Sequence, residues 1–531
     1  MDDTAIITLP TLPDEPHLLK QMIAQLLDLQ HQKDRTIGQL EHQLQQLLRR
    51  VYGRSAETLD PKQMALFTEM LQQLQAAQPT EVQPAEPAPA APQPSGNGHG
   101  RRRLPADLPR ERIVHDLPET EKPCPCCGKV RKCIGEEVSE QLEYVPAKVT
   151  VLQHVRLKYA CASCEISAAE AGPQIVTADK PLAPIDKGLA GPGLLAYVIV
   201  SKYGDHLPLH RIERILERHD IDISRSTMCD WAAQSAEALR PLYELMANRV
   251  RTSKVIHTDD TPVDVLDRKL KQTRTGRFWV YLGDVGNPYN VFDYTQSRSR
   301  DGPMQFLTKW SGHLQADAFG GYDGIYAGQA GGSVTEVACW AHARRKFFDA
   351  RFTDVARSAA ALAHIRLLYD VEDQAKELAP DNRAALRRQL AAPRLQQFNA
   401  WLTEQQAASG GAVLPKSPMG QAITYAINQW TALSVYTTDG DLAIDNNASE
   451  NALRRIALGR KNWLFCGSDN GGRTAAILFT FIATCQRHAV NPFDYLRDVL
   501  TRLPATPISQ IDQFLPDRWL APTIPQHAAT V

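Results

Sequence analysis

Apolar side chains near the N-terminus recur at alternating steps of four and three residues. The series is Leu19, Ile23, Leu26, Ile37, Leu40, Leu44, Leu47 and Val51. This spacing predicts a helix over residues 16–53 with a heptad seam, which Gln30 and Lys33 interrupt. The helix either packs on its own domain or joins protomers as a coiled coil. The length of the seam favours the coil, so we expect a homo-oligomer.

Residues 54–103 follow the predicted helix. From residue 75 onward Gln, Ala and Pro dominate, and the segment ends in Arg101, Arg102 and Arg103. Such a composition cannot supply a packed core, so we interpret this segment as a tether with a low-complexity linker.

Helical periodicity returns over residues 181–250. Within it, residues 215–239 contain a helix, a short polar turn, an N-cap at Ser224 or Ser226, and a second amphipathic helix. This order fits a DNA-binding helix-turn-helix, and it also fits a helical hairpin in an ordinary core.

The pattern changes to strands after Lys254. Short β-branched or aromatic runs, separated by Gly, Pro and Asn, occupy residues 255–258, 278–284, 290–295, 313–317 and 334–340. Helical periodicity resumes at about Ala341. The fold class is therefore a multidomain α/β protein. Its catalytic core covers residues 251–475 with a helical insertion at about 352–440, and a C-terminal helical region with a tail covers residues 476–531.

Composition limits the class of protein. A chain of 531 residues should form three or four units at roughly 150 residues each. The net charge of −1 neither requires nor excludes a nucleic-acid partner. The longest apolar stretch, residues 189–200, is shorter than the roughly twenty residues of a membrane span. No signal-peptide pattern begins the chain, so we expect a cytoplasmic protein without a membrane partner.

Two Cys-x-x-Cys pairs lie within residues 104–170. Cys124 and Cys127 form the first, and Cys161 and Cys164 form the second. Four thiolates in two such pairs are the ligands of a closed tetrahedral Zn²⁺ site, so this segment is predicted to be a zinc-binding β module. The nearby Cys126 is a possible competing ligand. Buried free cysteines are the alternative.

Three acidic residues stand at the ends of predicted elements. Asp259 closes a strand that Thr261 and Pro262 should break, and Asp317 closes another before a Gly-rich loop. Glu450 lies in the first turns of a helix capped by Asp445, Asn446 or Asn447. Taken singly, such residues are more often turn formers or members of surface ion pairs.

Together the three carboxylates fit phosphodiester chemistry. Cutting a phosphodiester requires an activated oxygen nucleophile and stabilisation of the leaving oxygen, and two divalent ions roughly 4 Å apart provide both. Mg²⁺ is a hard ion that keeps several waters, so two or three carboxylates suffice as its protein ligands. We expect two Mg²⁺ ions, with Mn²⁺ as a substitute, held by Asp259, Asp317 and Glu450.

The sequence resembles the transposases of the insertion-sequence-sixty-six family. The resemblance covers roughly residues 16–510. It rests on the segments YGRSAE, LPRERIVHDLPE, CPCCG, SEQLEYVPAKVTVLQHVRLKYAC, HLPLHRIERIL, ISRSTMCDW, HTDDTPV, LQADAFGGYDG, ACWAHARRKFFDA, DNNASENALRRIALGRKNWLFCGSDNGG and NPFDYLRDVL.

The resemblance implies a ribonuclease-H-like core whose catalytic residues fall at Asp259, Asp317 and Glu450. This chain has Asp260 where the family more often has Glu, so either Asp259 or Asp260 is the metal ligand; the strand-end position favours Asp259. Tyr322 and Asp323 are interpreted as supporting residues, and Trp340 and His342 as structural. Two basic clusters are interpreted as contacts to DNA phosphates, with a solvated helix face as the alternative. They comprise Arg344, Arg345 and Lys346, and Arg454, Arg455, Arg460 and Lys461.

The implied function is metal-dependent DNA cleavage and strand transfer at the terminal inverted repeats of a mobile element. The expected partners are those repeats, the target DNA, further copies of this chain and two small accessory proteins of the same element. The protein would be nucleoid-associated when bound to DNA. One alternative is a catalytically inactive DNA-binding repressor, and another is a structure-specific nuclease on the same core.

Overall fold

The computed structural model describes residues 17, 20–30, 32–33, 61–76, 149–160, 175–177, 182–186, 188–267, 272–407 and 413–521. The backbone divides into two compact units, Met1–Gln78 with Leu152–Val531, and Pro79–Val151. Of the second unit only residues 149–151 are described. Outside the described residues lie most of the predicted coil, the linker from residue 77 onward, and the predicted zinc ligands Cys124, Cys127, Cys161 and Cys164.

The first part of the predicted coil is helical. Residues 20–30 form a helix, and its apolar side chains, among them Ile23 and Leu26, are exposed. Whether a second chain covers these side chains stays a prediction. Helix α1 (Pro61–Ala76) follows, so this part of the segment predicted to be a tether is helical. A short antiparallel pair is formed by β1 (Lys158–Ala160) and β2 (Ile175–Thr177).

A helical region precedes the main sheet. It consists of α2 (Pro192–Ile199), a π-helical turn (Val200–Gly204), α3 (Leu209–Glu217) and α4 (Arg225–Val250). Of the two predicted caps for α4, Ser224 is the one used, because its hydroxyl accepts a 3.2 Å hydrogen bond from the Thr227 amide. The Glu213 carboxylate accepts a 2.9 Å bond from the Arg225 amide, which fixes α3 against the start of α4.

Six strands form one mixed sheet. They are β3 (Val255–Asp267), β4 (Gln272–Leu282), β5 (Asn290–Thr295), β6 (Gly312–Gln315), β7 (Val334–Val337) and β8 (Phe465–Cys466). The order is β5-β4-β3-β6-β7, and β8 pairs with β3. The pairs β3–β4 and β4–β5 are antiparallel, whereas β3–β6, β6–β7 and β3–β8 are parallel. The predicted α/β class is confirmed.

The prediction that Thr261 and Pro262 break the first strand is wrong. Strand β3 continues to Asp267, and Pro262 pairs opposite Arg277 of β4. Proline lacks the amide hydrogen that a strand paired on both sides needs. On its other side β3 pairs with β6 only over residues 255–257 and with β8 only at residues 264–265. At Pro262 the ladder is therefore one-sided, and the missing donor is tolerated.

Helices account for most of the chain after the sheet begins. Two short helices, α5 (Asp301–Phe306) and α6 (Asp323–Tyr326), lie between strands. After β7 come α7 (Trp340–Ala350), α8 (Val355–Ala375), α9 (Pro380–Leu386), α10 (Ala392–Ala407), α11 (Pro418–Asn428) and α12 (Trp430–Ser434). The last are α13 (Asn447–Trp463), α14 (Asp469–Arg487) and α15 (Pro492–Arg502). Within the described ranges, every helix is too short or too polar to cross a membrane.

Two apolar cores hold these elements together. One joins the sheet to α2–α4, α14 and α15. The other lies within the helices of the predicted insertion, where the rings of Phe398 and Trp430 pack against Trp340 of α7. Since Trp340 starts the helix directly after β7, the insertion is anchored to the sheet at this point.

Helix α14 covers the outer edge of the sheet. The Thr480 hydroxyl accepts a 2.9 Å hydrogen bond from the Phe292 amide of β5, and the Thr484 hydroxyl accepts one of 3.1 Å from the Asn290 amide. The backbone donors of this edge strand are thus paired with side chains of a helix.

Candidate functional site

The register of the sheet places Asp259 and Asp317 side by side. The parallel pairing of β3 with β6 ends at His257 and Gln315. Asp259 and Asp317 each lie two residues further along their own chain segments. Because side chains alternate with period two along a strand, Asp259 is on the face of His257, and Asp317 follows the last residue of β6 at the same end of the parallel pair.

Asn446 brings the third carboxylate to this place. It is fully buried and precedes α13. Its side-chain amide donates a 2.8 Å hydrogen bond to the Thr258 carbonyl, and its Oδ1 lies 3.2 Å from Nδ1 of His257. The first turn of α13, which carries Glu450, is therefore fixed to β3 beside Asp259.

Gln315 holds the chain leading into α13. Its buried side-chain amide donates to the carbonyls of Ala443 at 2.6 Å and Asp445 at 3.0 Å. Asp445 was one of three predicted caps. Asn446 is the N-cap residue, but its side chain makes no cap bond, whereas the Asp445 carboxylate accepts a 3.1 Å bond from the Asn447 amide.

Asp317 and Glu450 both lie within electrostatic reach of Asp259. Burial raises the pKa of Asp259 to about 7, and the charges of Asp317, Asp260 and Glu450 add to this increase. The Asp260 amide, which donates a 2.7 Å bond to the Asp259 carboxylate, partly offsets it. Burial also raises the pKa of Asp317, and the neighbouring His342 and Arg298 act against this rise. Because burial disfavours the ionised forms of both carboxyl groups, a neighbouring cation would stabilise their negative charges.

The donor set fits a hard divalent ion. Asp317 Oδ1 is buried and has no hydrogen-bond partner in the part of the chain that the structure describes. Its other oxygen lies 3.8 Å from Arg298 Nη2, and Glu450 Oε1 lies 3.6 Å from His342 Nε2. Among the described residues, no group of three His, Cys, Asp or Glu side chains is close enough together to hold one metal ion. A two-ion centre divides its ligands between the ions, so pairs of these carboxylates suffice.

Asp260 has a different environment from Asp259. Its side chain is 1% exposed and lies 2.8 Å from Arg277 Nη1 and 2.8 Å from Arg298 Nη2. The Arg298 guanidinium in turn lies 3.7 Å from the centroid of the Phe319 ring. Because both oxygens of Asp260 are engaged by arginines, Asp259 is the better candidate for a metal ligand.

Three residues of the site were not predicted from the sequence as functional: His342, Arg298 and Asn446. His342 was expected to be structural, as was Trp340. Trp340 is buried and its Nε1 donates a 2.8 Å bond to the Leu433 carbonyl. His342, two residues later on α7, instead faces Glu450. The only signal for it in the sequence was its place in the first turn of a helix that follows a strand of the core.

The predicted DNA-binding residues fall into different environments. Arg460 donates to the Thr261 hydroxyl at 3.0 Å and to the Pro262 carbonyl, so it braces β3. Arg344 and Arg455 are partly buried. The remaining four predicted residues are exposed, and they are Arg345, Lys346, Arg454 and Lys461.

The sequence comparisons agree with these observations. The family described as "Transposase IS66 family" matches residues 187–474. Further matches are the zinc-finger binding domain of transposase IS66 at residues 121–165, the Transposase C of IS166 homeodomain at residues 39–113, and the IS66 C-terminal element at residues 480–516.

Relatives of similar length occur in Sinorhizobium fredii (strain NBRC 101917 / NGR234). The uncharacterized protein y4hP is 31% identical over 442 residues, which cover 79% of this chain and 77% of the relative. The uncharacterized protein y4jD is 30% identical over 437 residues, covering 80% of this chain and 83% of the relative.

Proposed function

The chain belongs to the transposase IS66 family, and from this premise we propose that it cuts and rejoins DNA at Asp259, Asp317 and Glu450. Family membership implies a part in transposition and the use of a divalent metal. The observation that carries the assignment to these residues is the hydrogen bonding that joins their elements. Asn446, at the start of the Glu450 helix, donates to the Thr258 carbonyl beside Asp259, and Gln315, two residues before Asp317, donates to the carbonyls of Ala443 and Asp445.

A ribonuclease-H-like core is part of the proposal. It is supported by a mixed sheet in which the antiparallel strands β3, β4 and β5 are extended by the parallel strands β6 and β7 on the other side of β3. The two aspartates lie where the antiparallel part meets the parallel part.

In the proposed reaction, Asp259, Asp317 and Glu450 would hold two Mg²⁺ ions. When bound, such ions activate an oxygen nucleophile and stabilise the leaving oxygen. Asn446 and Gln315 keep the start of the Glu450 helix in place, Arg298 balances part of the charge of Asp317, and His342 faces Glu450. Water first replaces the 3′ oxygen at one phosphodiester, which leaves a free 3′-OH. That hydroxyl then attacks a target phosphodiester, forming a new bond and releasing the target's 3′ oxygen.

The N-terminal regions are assigned to recognition and assembly. We assign the zinc module with Cys124, Cys127, Cys161 and Cys164, together with α3 and α4, to binding of the terminal repeats. The match to the zinc-finger domain of the family supports this assignment for residues 121–165. The helix over residues 16–53 would join protomers through its heptad seam.

The test is cleavage of DNA that carries the ends of the element. Asp317→Asn should reduce Mg²⁺-dependent strand cleavage by about a thousandfold, since it removes a ligand of the Mg²⁺ ions that stabilise the developing negative charge. Binding of the same DNA in EDTA should change little. Asp381→Asn, an exposed carboxylate on α9, is the matched control and should cleave normally.

Two outcomes would contradict the proposal. If the wild type bound repeat DNA but never nicked it with Mg²⁺ or Mn²⁺, the chain would be a DNA-binding repressor. If it nicked DNA but joined no 3′-OH end to a target, it would be a nuclease on the same core.

A further inference from the structure

Two arginines share the carboxylate of Asp260. Arg277 Nη1 lies 2.8 Å from one oxygen of Asp260, and Arg298 Nη2 lies 2.8 Å from the other. The Nε of Arg298 also donates to that second oxygen at 3.0 Å. Arg277 alone would neutralise Asp260, so the second guanidinium brings a positive charge that the burial of Asp260 does not require.

This additional charge lies beside Asp317. The side chain of Arg298 is 37% exposed, against 21% for Arg277, so Arg298 is the arginine that solvent reaches more easily. Its Nη2 lies 3.8 Å from Asp317 Oδ2. That distance is too long for a hydrogen bond. The guanidinium therefore borders the candidate site without being bonded to its carboxylate.

The position of Arg298 is fixed by its neighbours. The guanidinium carbon lies 3.7 Å from the centroid of the Phe319 ring, so the ring supports the plane of the group. The loop between β5 and α5, which carries Arg298, is held at its start. There the Thr295 hydroxyl donates to the Ser297 carbonyl at 2.8 Å and accepts from Trp279 Nε1 at 2.7 Å. A planar group fixed in this way loses little freedom when it binds a ligand.

One end of the guanidinium is unused. The group has five N–H donors, and those on Nε and Nη2 face Asp260 and Asp317. Among the residues that the structure describes, Nη1 has no hydrogen-bond or ion-pair partner. The planar fork of arginine matches the oxygens of a phosphate group. A phosphodiester that reaches Asp317 from solvent would also come within reach of this fork.

We propose that Arg298 is a catalytic residue that contacts the DNA phosphate at Asp317. The proposal rests on the proposed function in taking DNA as the substrate. Arg298 would donate to the nonbridging oxygens of the phosphate, where negative charge develops as one P–O bond forms and another breaks. It transfers no proton in this role. Asp260 is then a positioning residue that holds the guanidinium instead of a metal ion.

The first experiment changes the charge of one phosphate at a time. A series of labelled duplexes that carry the end of the element would each contain one uncharged methylphosphonate at a different position. Fluorescence anisotropy in EDTA would give the affinity of the full chain for each duplex. At one position, the change in affinity caused by the neutral group should differ about tenfold between the wild type and Arg298→Gln. Repulsion by the carboxylates cancels in this comparison, because both proteins contain them.

The second experiment measures strand cleavage with Mg²⁺. The wild type should cleave at the phosphate identified by the methylphosphonate series. Arg298→Gln should cleave about a hundredfold more slowly, as expected when one donor to the developing charge is lost. Arg298→Lys keeps the charge but lacks the planar fork, so it should not restore the rate. If Arg298 only balanced the charge of Asp260, lysine would replace it without loss.

Arg300→Gln is the matched control. It removes an exposed arginine two positions later in the same loop. This variant should cleave as the wild type does, and at the phosphate identified for Arg298 it should respond to the methylphosphonate as the wild type does. Thermal unfolding of all three variants would show that the fold is kept.

Three results would overturn the role of Arg298. They are the absence of any phosphate whose effect depends on Arg298, dependence at a phosphate away from the cleaved bond, and a wild-type rate in Arg298→Lys. A failure of the proposed function gives a different result. If one phosphate depends on Arg298 and the wild type never cleaves, the contact stands and the proposed cleavage is wrong. If the wild type cleaves and no phosphate depends on Arg298, the role of Arg298 alone is wrong.

Discussion

The Asn446 side-chain amide donates a 2.8 Å hydrogen bond to the carbonyl of Thr258, the residue before Asp259. This bond links two parts of the chain 188 residues apart. It joins the start of the Glu450 helix to the strand of Asp259, so the distance between those two carboxylates depends on it.

Asn446→Ala should therefore impair cleavage more than DNA binding. The substitution leaves the buried Thr258 carbonyl without its donor, which costs about 2 kcal/mol of stability. Strand cleavage with Mg²⁺ and DNA binding in EDTA would be measured in parallel. Asn447→Ala is the matched control, because Asn447 is exposed and, among the residues that the structure describes, its side chain bonds only the neighbouring Asp445. Equal strand-cleavage activity of both variants would show that Asn446 does not position Glu450.

Asp259 and Asp260 should differ in metal binding. Asp259→Asn should abolish tight binding of Mn²⁺, whereas Asp260→Asn should bind Mn²⁺ with an affinity within a few-fold of the wild type. The second variant should lose about 1–2 kcal/mol of stability, since Arg277 and the partly exposed Arg298 lose their partner. Titration calorimetry and thermal unfolding measure the two effects. Loss of Mn²⁺ binding in Asp260→Asn alone would reverse the assignment.

The affinity for a divalent metal should fall as the pH decreases through 7. Burial raises the pKa of Asp259 to about 7, and a protonated carboxyl group is a poor ligand. Calorimetric titrations at about pH 6, 7 and 8 should show that the affinity for Mn²⁺ increases steadily with pH. An affinity independent of pH over this range would show that Asp259 is ionised throughout or is not a ligand.

Without metal, Asp259→Asn should stabilise the protein at alkaline pH. When the pKa of a carboxyl group is higher in the folded state than in the unfolded state, the folded state loses stability as the pH rises through the folded-state pKa. For Asp259 this loss occurs as the pH approaches and passes about 7. In EDTA, the melting temperature of Asp259→Asn should therefore exceed that of the wild type at pH 8 and match it near pH 4. A lower melting temperature at pH 8 would contradict the burial of a charged Asp259.

Zinc content should depend on the predicted cysteine pairs. We expect about one zinc ion per chain, and Cys124→Ser or Cys161→Ser should reduce this content because a closed zinc site needs four ligands. Cys229→Ser removes an exposed free cysteine and is the matched control. Elemental analysis of purified protein measures the content. Full zinc occupancy in both ligand variants would exclude these cysteines.

Much of the fold was predictable because its signals are local. The strands over residues 255–258, 290–295 and 313–317 follow from short β-branched and aromatic runs, and Ser224 is a cap because its hydroxyl faces the first turn of α4. The continuation of β3 through Pro262 was not predictable in this way. It depends on which strands pair beside Pro262, and that is a property of the sheet.

The candidate site was predictable only in part, for a similar reason. The resemblance to a family placed Asp259, Asp317 and Glu450, and the structure fixes the start of the Glu450 helix to the strand of Asp259 through Asn446. The partners of these residues are set by tertiary contacts between distant segments. His342 faces Glu450 across 108 positions in the chain, and the role of Arg460 is to donate to a strand almost two hundred residues earlier. No spacing in the sequence indicates such pairs.

The threonines of α14 have a consequence for how copies of this protein can associate. Because Thr480 and Thr484 already accept the outward amides of Phe292 and Asn290, a strand from another molecule finds no free donors at these two positions of β5. Growth of the sheet from one molecule to the next is disfavoured along that side, which protects a sheet of this size from edge-to-edge aggregation. Copies of this chain that associate would then have to do so through other surfaces.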